Sequence, residues 1–323
     1  GIATFNDLTL TGTAAPSITL TYTISSPSSI TKTQTIELVA GAPTQLLLTA
    51  SPTSCQSRIA CSTQPVITIA DASGNATTST ATVTATITNG TGTITAGSTK
   101  DAVGGVATSS GFTIQGTAAT NFAIQYSIAS PALSVSQTNL QLQAGTTVKL
   151  YLATPAVGFT NAVAFTTQPV VKFTDADNNV TNTTGQISVA VGTGSASGVA
   201  VLGGTTTLTS SQGTADFVNN GLKLTGTVDT YTLTYSAYGF TSATQNVTLL
   251  PGAATKVVVT TGVAGFVNRA NFTTQPVAKI QDVSGNVVDS SATVTVSIST
   301  GYLTGTVSLP AVHGVADWNS ATT

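Results

Sequence analysis

The sequence predicts an all-β protein built from tandem repeats of about 100 residues. Three phrases recur along the 323 residues with nearly the same period. The first is TQPV, then a run of β-formers and D-x-x-[GN]-N, and it begins at Thr63, Thr167 and Thr274. The second, A-G-x-x-T or its P-G variant, recurs at Gly41, Gly145 and Gly252, and the third, G-x-A, at Gly1, Gly105, Gly213 and Gly314. A period of this length is too long for a solenoid coil and suits a whole small β-domain.

The strands follow from the alternation within one period. The run TTVKLYLAT places Val148, Leu150 and Leu152 on one face and Lys149 and Tyr151 on the other. About seven such short runs fill each period, bounded by Gly, Asn, Asp or Pro, and no helical periodicity competes with them. This density of short strands predicts immunoglobulin-like β-sandwich domains, and the near absence of linker residues predicts a rod-like array.

The penultimate strand of each period predicts the core. Its copies read ITLTYTI, FAIQYSI and YTLTYSA. Alternation of large apolar residues with Thr, Gln or Ser indicates half-buried strands of a two-sheet core. The predicted inward set is Ile18, Leu20, Tyr22 and Ile24, then Phe122, Ile124, Tyr126 and Ile128, then Tyr231, Leu233 and Tyr235.

The turn phrase has its own chemistry. Its first position is Asp71, Asp175 or Asp282, and an Asp there can accept hydrogen bonds from backbone amides two residues on. The fourth position holds Gly74, Asn178 or Gly285, the residue types that best tolerate a left-handed backbone.

A calcium loop is the alternative interpretation of one turn copy. Asp175, Asp177 and Asn179 have the 1-3-5 oxygen spacing of such a loop. The twelfth position is Gln186 rather than Glu, and the sister copies lack the second Asp, so a plain turn is favoured and no metal or cofactor is expected.

The two cysteines occupy positions that change together between repeats. Cys55 and Cys61 are replaced one period later by Phe159 and Phe165, and again by Phe266 and Phe272. Positions that change as a pair are expected to touch, so we predict a Cys55–Cys61 disulfide where the other copies close the loop with an aromatic pair. Two free buried thiols are the alternative. A disulfide would indicate an oxidising compartment.

The phase of the repeat predicts four segments. Residues 41–144 and 145–251 are predicted as complete immunoglobulin-like domains. Residues 1–40 correspond to the C-terminal part of such a domain, and residues 252–323 to the N-terminal part of another. The two parts are complementary, so we expect the chain to join itself head to tail, either by continuing in a longer repeat chain or by strand complementation between subunits.

Composition excludes several functions. Charged residues make up 6% and the net charge is -2, so no basic face is present for nucleic acid. No apolar run is long enough to insert into a membrane. A single His and the lack of a Ser–His–acid arrangement lead us to expect no enzymatic activity.

Six N-x-[ST] sequons are weak candidates for glycosylation, since their number is close to chance for this composition. They lie at Asn75, Asn89, Asn179, Asn182, Asn246 and Asn271.

The phrases FTTQPVVKFTDADNNV and DTYTLTYS resemble the bacterial Ig-like (Big or invasin-like) repeats of large extracellular adhesins and surface-filament proteins. This resemblance implies an extracellular or cell-surface location and a structural segment of a filament, stalk or fibre. The alternative is an adhesin module that binds a carbohydrate or protein receptor through loop tips. The copies differ mainly in small-residue loops such as GTGSASG, which favours the structural interpretation.

Overall fold

The structure is a computed structural model that describes residues 1–320, so the last three residues of the predicted segment 252–323 lie outside it. The described residues form 26 β-strands in nine sheets and no helix, which confirms the all-β prediction. Within that span no helix is long and apolar enough to cross a bilayer.

The backbone contacts divide the chain into two compact units. The first unit comprises Gly1–Thr146 together with the five-residue turn Asp175–Asn179. The second comprises Thr147–Thr174 and Val180–Thr323.

The first unit contains four sheets. A separate hairpin pairs β1 (Ala15–Ile24) with β2 (Ile30–Leu38). A three-stranded sheet has the order β3 (Gln45–Ala50), β5 (Val66–Ala70) and β9 (Val106–Thr108). A five-stranded sheet has the order β4 (Cys55–Gln56), β12 (Leu133–Gln143), β11 (Asn121–Ile128), β6 (Thr82–Asn89) and β8 (Thr99–Asp101), and a two-stranded sheet pairs β7 (Gly92–Ala96) with β10 (Thr113–Gly116).

One hydrophobic core joins the three-stranded and five-stranded sheets of the first unit. Ile67 and Ile69 come from the former, and Phe122, Ile124 and Tyr126 from the latter, all almost fully buried. Inward-facing side chains from two sheets in one core are consistent with a β-sandwich.

The second unit has the same arrangement of sheets, followed by a second three-stranded sheet and a further strand pair. Its three-stranded sheet has the order β13 (Lys149–Thr154), β14 (Val170–Thr174) and β18 (Thr214–Asp216), and its four-stranded sheet the order β17 (Thr207–Thr209), β15 (Gln186–Val191), β20 (Thr230–Ser236) and β21 (Ala243–Thr248). A two-stranded sheet pairs β16 (Ala200–Gly203) with β19 (Lys223–Gly226). Further along are the sheet β22 (Lys256–Thr261), β23 (Val277–Gln281) and β26 (Val315–Asp317), and the pair β24 (Thr293–Thr295) and β25 (Ser308–Pro310).

The second unit has one large core and one small one. The large core again unites a three-stranded and a four-stranded sheet, through residues such as Phe173, Tyr231 and Tyr235. The small core gathers Ile280 and Trp318 with three buried alanines.

The predicted inward set is right for two copies and wrong for the first. The seven predicted side chains of β11 and β20 are all buried. In β1, by contrast, Ile18 and Leu20 are only half-buried, and Tyr22 and Ile24 are 40% and 59% exposed. The reason is that within the first unit β1 pairs only with β2, so no second sheet packs against this face.

The glycine of the G-x-A phrase has a steric cause. Gly105, Gly213 and Gly314 all have positive φ, at 77°, 74° and 75°. A Cβ on any of them would collide with a backbone carbonyl, that of Thr77, Thr181 or Val288 respectively. Only glycine permits this approach at this backbone angle.

Candidate functional site

The D-x-x-x-N turns are the best-built polar sites of the molecule. In each, Oδ1 of the Asp accepts the backbone N–H groups of the third and fifth turn residues at 2.9 Å, which confirms the predicted turn chemistry. The fourth residue has the predicted left-handed backbone, with φ of 83° at Gly74, 65° at Asn178 and 89° at Gly285.

The other carboxylate oxygen ties the turn to the A-G phrase. Oδ2 of the Asp accepts the backbone N–H of Gly41, Gly145 or Gly252 at 2.8 to 2.9 Å. The same oxygen accepts the side-chain amide of the turn's last residue, Asn75, Asn179 or Asn286. Each Asp is therefore buried with at least four hydrogen-bond donors around its carboxylate.

The Asn of each turn holds the repeat that precedes it. Its Nδ2 also donates to the carbonyl of a glycine about 60 residues upstream, Gly12, Gly116 or Gly226, at 2.9 Å in all three copies. Its Oδ1 accepts the backbone N–H of the residue two positions after that glycine, which is Ala14, Ala118 or Val228, at 2.7 to 2.8 Å. We call these sites, numbered in chain order, the first, second and third clamps.

The second clamp carries an ion pair. Asp177, the third residue of its turn, accepts Nε of Arg58 at 2.8 Å and Nη2 at 2.7 Å, a two-pronged contact. Ser57 Oγ donates to the same carboxylate at 2.7 Å and accepts the N–H of Gly116. Ser57 and Arg58, which contact Asp177 of this turn, lie on the loop between Cys55 and Cys61.

The third clamp replaces the ion pair with a buried amide. Asn161, one period after Ser57, is 1% exposed. Its Nδ2 donates to Asp282 Oδ2 at 2.7 Å and to Ser284 Oγ at 2.9 Å, and its Oδ1 accepts the N–H of Gly226. Ser284 stands where the second clamp has Asp177, and Ala162 where it has Arg58.

The first clamp is open where the other two are covered. Ser73, at the position of Asp177 and Ser284, is exposed, and so is Gly41. Gly145 and Gly252 are instead covered by the backbone carbonyls of Ser57 and Asn161. A groove runs beside this clamp and is lined by Leu10, Leu38, Gly41, Asp71, Ser73 and Asn75.

Three acids of the clamps, Asp71, Asp177 and Asp282, have a lowered pKa. Hydrogen bonds from the Asn75 side chain, and then from Gly41, lower the pKa of Asp71 to about 2. Burial raises the pKa of Asp282, but hydrogen bonds from Asn286, Gly252 and Asn161 outweigh it and bring the pKa to about 2. The hydrogen bond from Arg58 is the largest contribution to the lowered pKa of Asp177.

The weak metal candidates lie together in the second clamp. Both oxygens of Asp175 accept N–H groups, Asp177 pairs with Arg58, and Asn179 Oδ1 accepts the N–H of Ala118. These oxygens face donors, as in a hydrogen-bonded turn, whereas a cation needs them free. Among the described residues no group of three or more His, Cys, Asp or Glu is arranged to hold a metal ion.

The structure contains the Cys55–Cys61 disulfide. Its counterparts are edge-to-face aromatic pairs, Phe159–Phe165 with ring centroids 5.0 Å apart and Phe266–Phe272 at 5.8 Å. The equivalent loop of each repeat is therefore closed by a contact between the same two positions, a disulfide in one copy and an aromatic pair in the other two. The first two of these loops carry Ser57 and Asn161, which cover the second and third clamps. The disulfide fits an oxidising environment.

The six sequons divide into two groups. Asn75 and Asn179 are the clamp asparagines, whose side-chain amides are hydrogen-bonded and at least half-buried. The other four are exposed: Asn89, Asn182, Asn246 and Asn271.

The sequence left two parts of the clamp unrecognised. One is the G-T-[AV] phrase at Gly12, Gly116 and Gly226, whose backbone receives the clamp asparagine. The other is the covering position, occupied by Ser57 and Asn161. The G-T-[AV] recurrence was a usable signal, since it keeps the same distance of about 60 residues from the turn in every copy.

Comparison with known proteins gives structural similarities only. No protein-family model matches the chain, and no curated protein matches it in sequence. Among solved structures, InvD of Yersinia pseudotuberculosis matches at 18% identity with a TM-score of 0.30, over 77% of this chain and 73% of that one. A β-glycosidase from Bacteroides vulgatus matches at 11% identity and a TM-score of 0.25, and a β-glucuronidase from Parabacteroides merdae at 9% and 0.24.

These matches correct one expectation and leave the family open. Each match covers about two thirds of this chain and about a quarter of the length of the enzyme. Because enzymes are among the structures it matches, the expectation of no enzymatic activity is contradicted and is withdrawn. At these TM-scores the similarities assign neither an activity nor a family to the chain.

Proposed function

We propose that the chain is a structural segment of an extracellular filament, stalk or surface fibre. In this proposal it is a tandem array of immunoglobulin-like domains, similar to bacterial Ig-like repeats, joined head to tail with identical or similar segments. The observation that supports it most is the clamp, because the same set of hydrogen bonds between one repeat and the phrase before it occurs three times.

The clamp has the properties expected of a joint that resists bending. Its Asp and Asn use nearly all their polar atoms on backbone groups of two neighbouring repeats, and the Asp is buried in every copy. Rotation at such a joint would break several buried hydrogen bonds together, at roughly 1 to 3 kcal/mol for each group left unpaired. A flexible Gly/Ser tether would allow that rotation freely.

The disulfide supports the location. It closes the loop that carries Ser57 and Arg58, and disulfides persist in oxidising compartments. Outside the cell this disulfide would stay oxidised and keep the loop closed beside the second clamp.

Distance measurements across the third clamp, which lies within the second unit, test the proposal. Spin labels at two exposed positions, Tyr238 and Val312, report the width of the distance distribution in the purified chain. A narrow distribution is expected for the wild type and a broad one for Asn286→Ala, because that variant loses the bonds to Gly226 and Val228. Asn271→Ala, which changes an exposed asparagine outside the clamp, is the matched control. A wild-type distribution as broad as that of Asn286→Ala would contradict the proposal.

A further inference from the structure

Two apolar sheet faces of this chain are exposed although their counterparts are buried. On β1 these are Tyr22 and Ile24, whose counterparts one period later, Tyr126 and Ile128, are buried. On β22 they are Val257 and Val259, at 56% and 61% exposure. The residue one period before Val257 is Leu150 and two periods before it is Leu46, and both are buried.

The two exposed faces are the two sides of one kind of core. The β1–β2 hairpin corresponds to β11–β12 and to β20–β21, while β22–β23–β26 corresponds to β3–β5–β9 and to β13–β14–β18. In the core of the first unit Leu46 packs with Phe122 and Tyr126, and in that of the second unit Leu150 packs with Tyr231 and Tyr235. A face of the first type is therefore covered, twice within this chain, by a sheet of the second type.

The polar surroundings match in the same register. The open first clamp presents Gly41, Ser73 and the backbone of Gly12. The loop between β22 and β23 presents Asn268, at the position of Asn161 and Ser57, and that side chain is exposed. Asn161 contacts Ser284 in the third clamp, so Asn268 opposite Ser73 repeats a pair that the chain already uses.

Arg269 adds a backbone match. It occupies the position of Arg58 and has the same left-handed backbone, with φ of 66° against 65°. Its loop is closed by the Phe266–Phe272 pair and lines a cavity together with Val267, Asn268 and Trp318.

We propose that β1–β2 and the first clamp of one molecule bind the sheet β22–β23–β26 and the Asn268–Arg269 loop of a second copy of this chain. The inference rests on the proposed function and specifies its partner and its contact residues. Binding completes a two-sheet core of the type seen in each unit, with Asn268 of the second copy covering Asp71 and Gly41. Because one surface lies on each kind of segment, the contact is heterologous and repeats from molecule to molecule.

Sedimentation of the full chain over a range of concentrations tests this contact. The wild type is expected to associate with rising concentration, and Val257→Asp to remain monomeric, because it puts a charge on the face to be buried. Val199→Asp, at a similarly exposed valine away from both faces, is the control and should associate like the wild type.

A gain of affinity tests the residues themselves. Ser73→Asp copies the residue found at Asp177, which the same turn already accommodates, and it places a carboxylate opposite Arg269 of the second copy. Association should tighten roughly fivefold, more at low salt, and Arg269→Ala should remove that gain. Ser110→Asp, the same change at an exposed serine outside the clamps and outside both faces, is the matched control and should leave association as in the wild type.

The sedimentation and affinity results together decide whether this contact forms. Tightening by Ser73→Asp that depends on Arg269 supports the contact. A chain that stays monomeric at every concentration overturns it, and so does association that Val257→Asp and Ser73→Asp leave unchanged. Neither of these results bears on the width of the distance distribution across the third clamp, so failure of this inference is distinguishable from failure of the proposed function.

Discussion

The second and third clamps hold the same backbone groups with different side chains. In the second, Ser57 and an exposed Arg58 hold Asp177 through an ion pair. In the third, one fully buried amide, Asn161, reaches Asp282, Ser284 and Gly226. The comparison shows that the Asp–Asn turn and the glycine backbone define the clamp, whereas the covering residue can be exchanged. The covering residue determines whether the stability of the clamp depends on an ion pair that salt weakens or on a buried amide.

The largest effect is expected from the buried amide. Asn161→Ala removes one of the donors to Asp282 and leaves Ser284 Oγ and the N–H of Gly226 without the partner they have here. The free energy of unfolding of the second unit should therefore fall by about 2 to 3 kcal/mol. Denaturant unfolding followed by hydrogen exchange at Gly226 measures it. Asn268→Ala, the same change one period later at an exposed residue, should cost less than about 0.5 kcal/mol. Equal losses in the two variants would contradict the role given to Asn161.

The disulfide tests whether loop closure is exchangeable as well. Cys55→Ser with Cys61→Ser should lower the stability of the first unit by about 2 kcal/mol, since the closed loop is short. Cys55→Phe with Cys61→Phe should recover part of that loss, because Phe159 and Phe165 close the equivalent loop. Thermal unfolding of the two variants compares them, and a Phe pair no better than the Ser pair would count against the equivalence.

Transplanting the ion pair sharpens the comparison. Ala162→Arg with Ser284→Asp recreates the Arg58–Asp177 pair in the third clamp, and Ala162 already has the required backbone, with φ of 64°. A double-mutant cycle should give a favourable coupling of about 0.5 to 1 kcal/mol that weakens with salt. Absence of coupling at low ionic strength would show that the two clamps differ in geometry and not only in side chains.

The smallest effect is a change in acid titration. The pKa of Asp71 and of Asp282 is about 2 in the folded chain, below the value of about 3.9 for an unfolded Asp. Their contribution to stability is therefore complete above about pH 4 and is lost as the pH falls toward 2. Carbon NMR of labelled Asp should show these midpoints. Asn75→Ala should raise the pKa of Asp71 alone, since Asn75 is its strongest partner, and an unmoved Asp71 midpoint would contradict this assignment.

Much of the fold could be predicted because its causes are local. Strand alternation identified Phe122, Tyr126 and Tyr235 as core, and the Asp and Gly of the turn predicted its left-handed residue. The Cys55–Cys61 contact was visible because both positions change together between copies. In contrast, Tyr22 was placed in the core by its pattern alone, although burial depends on a second sheet that the pattern does not supply.

The clamp was missed because its partners do not vary. Asp175 and Gly145 are the same residue types in all three copies, so no pairwise exchange reveals that they touch. Asn179 meets a backbone carbonyl and a backbone N–H about 60 residues away, and the recurrent G-T-[AV] phrase is the sequence signal at that place. The covering residue does vary: it is Ser57 opposite Asp177 in the second clamp and Asn161 opposite Ser284 in the third. Two such pairs are too few to reveal from the sequence that these positions change together.

The clamp also determines how the chain can be produced. Asn75 and Asn179 are followed two residues later by Thr77 and Thr181, whose hydroxyl groups donate to the carbonyls of Ile69 and Phe173. The triplets NAT and NVT therefore arise from two separate structural requirements and happen to read as acceptor sites for sugar. A eukaryotic secretory host that attached a glycan there before folding would occupy the nitrogen that binds Gly12 or Gly116, whereas the third turn, with Val288 in place of threonine, would escape.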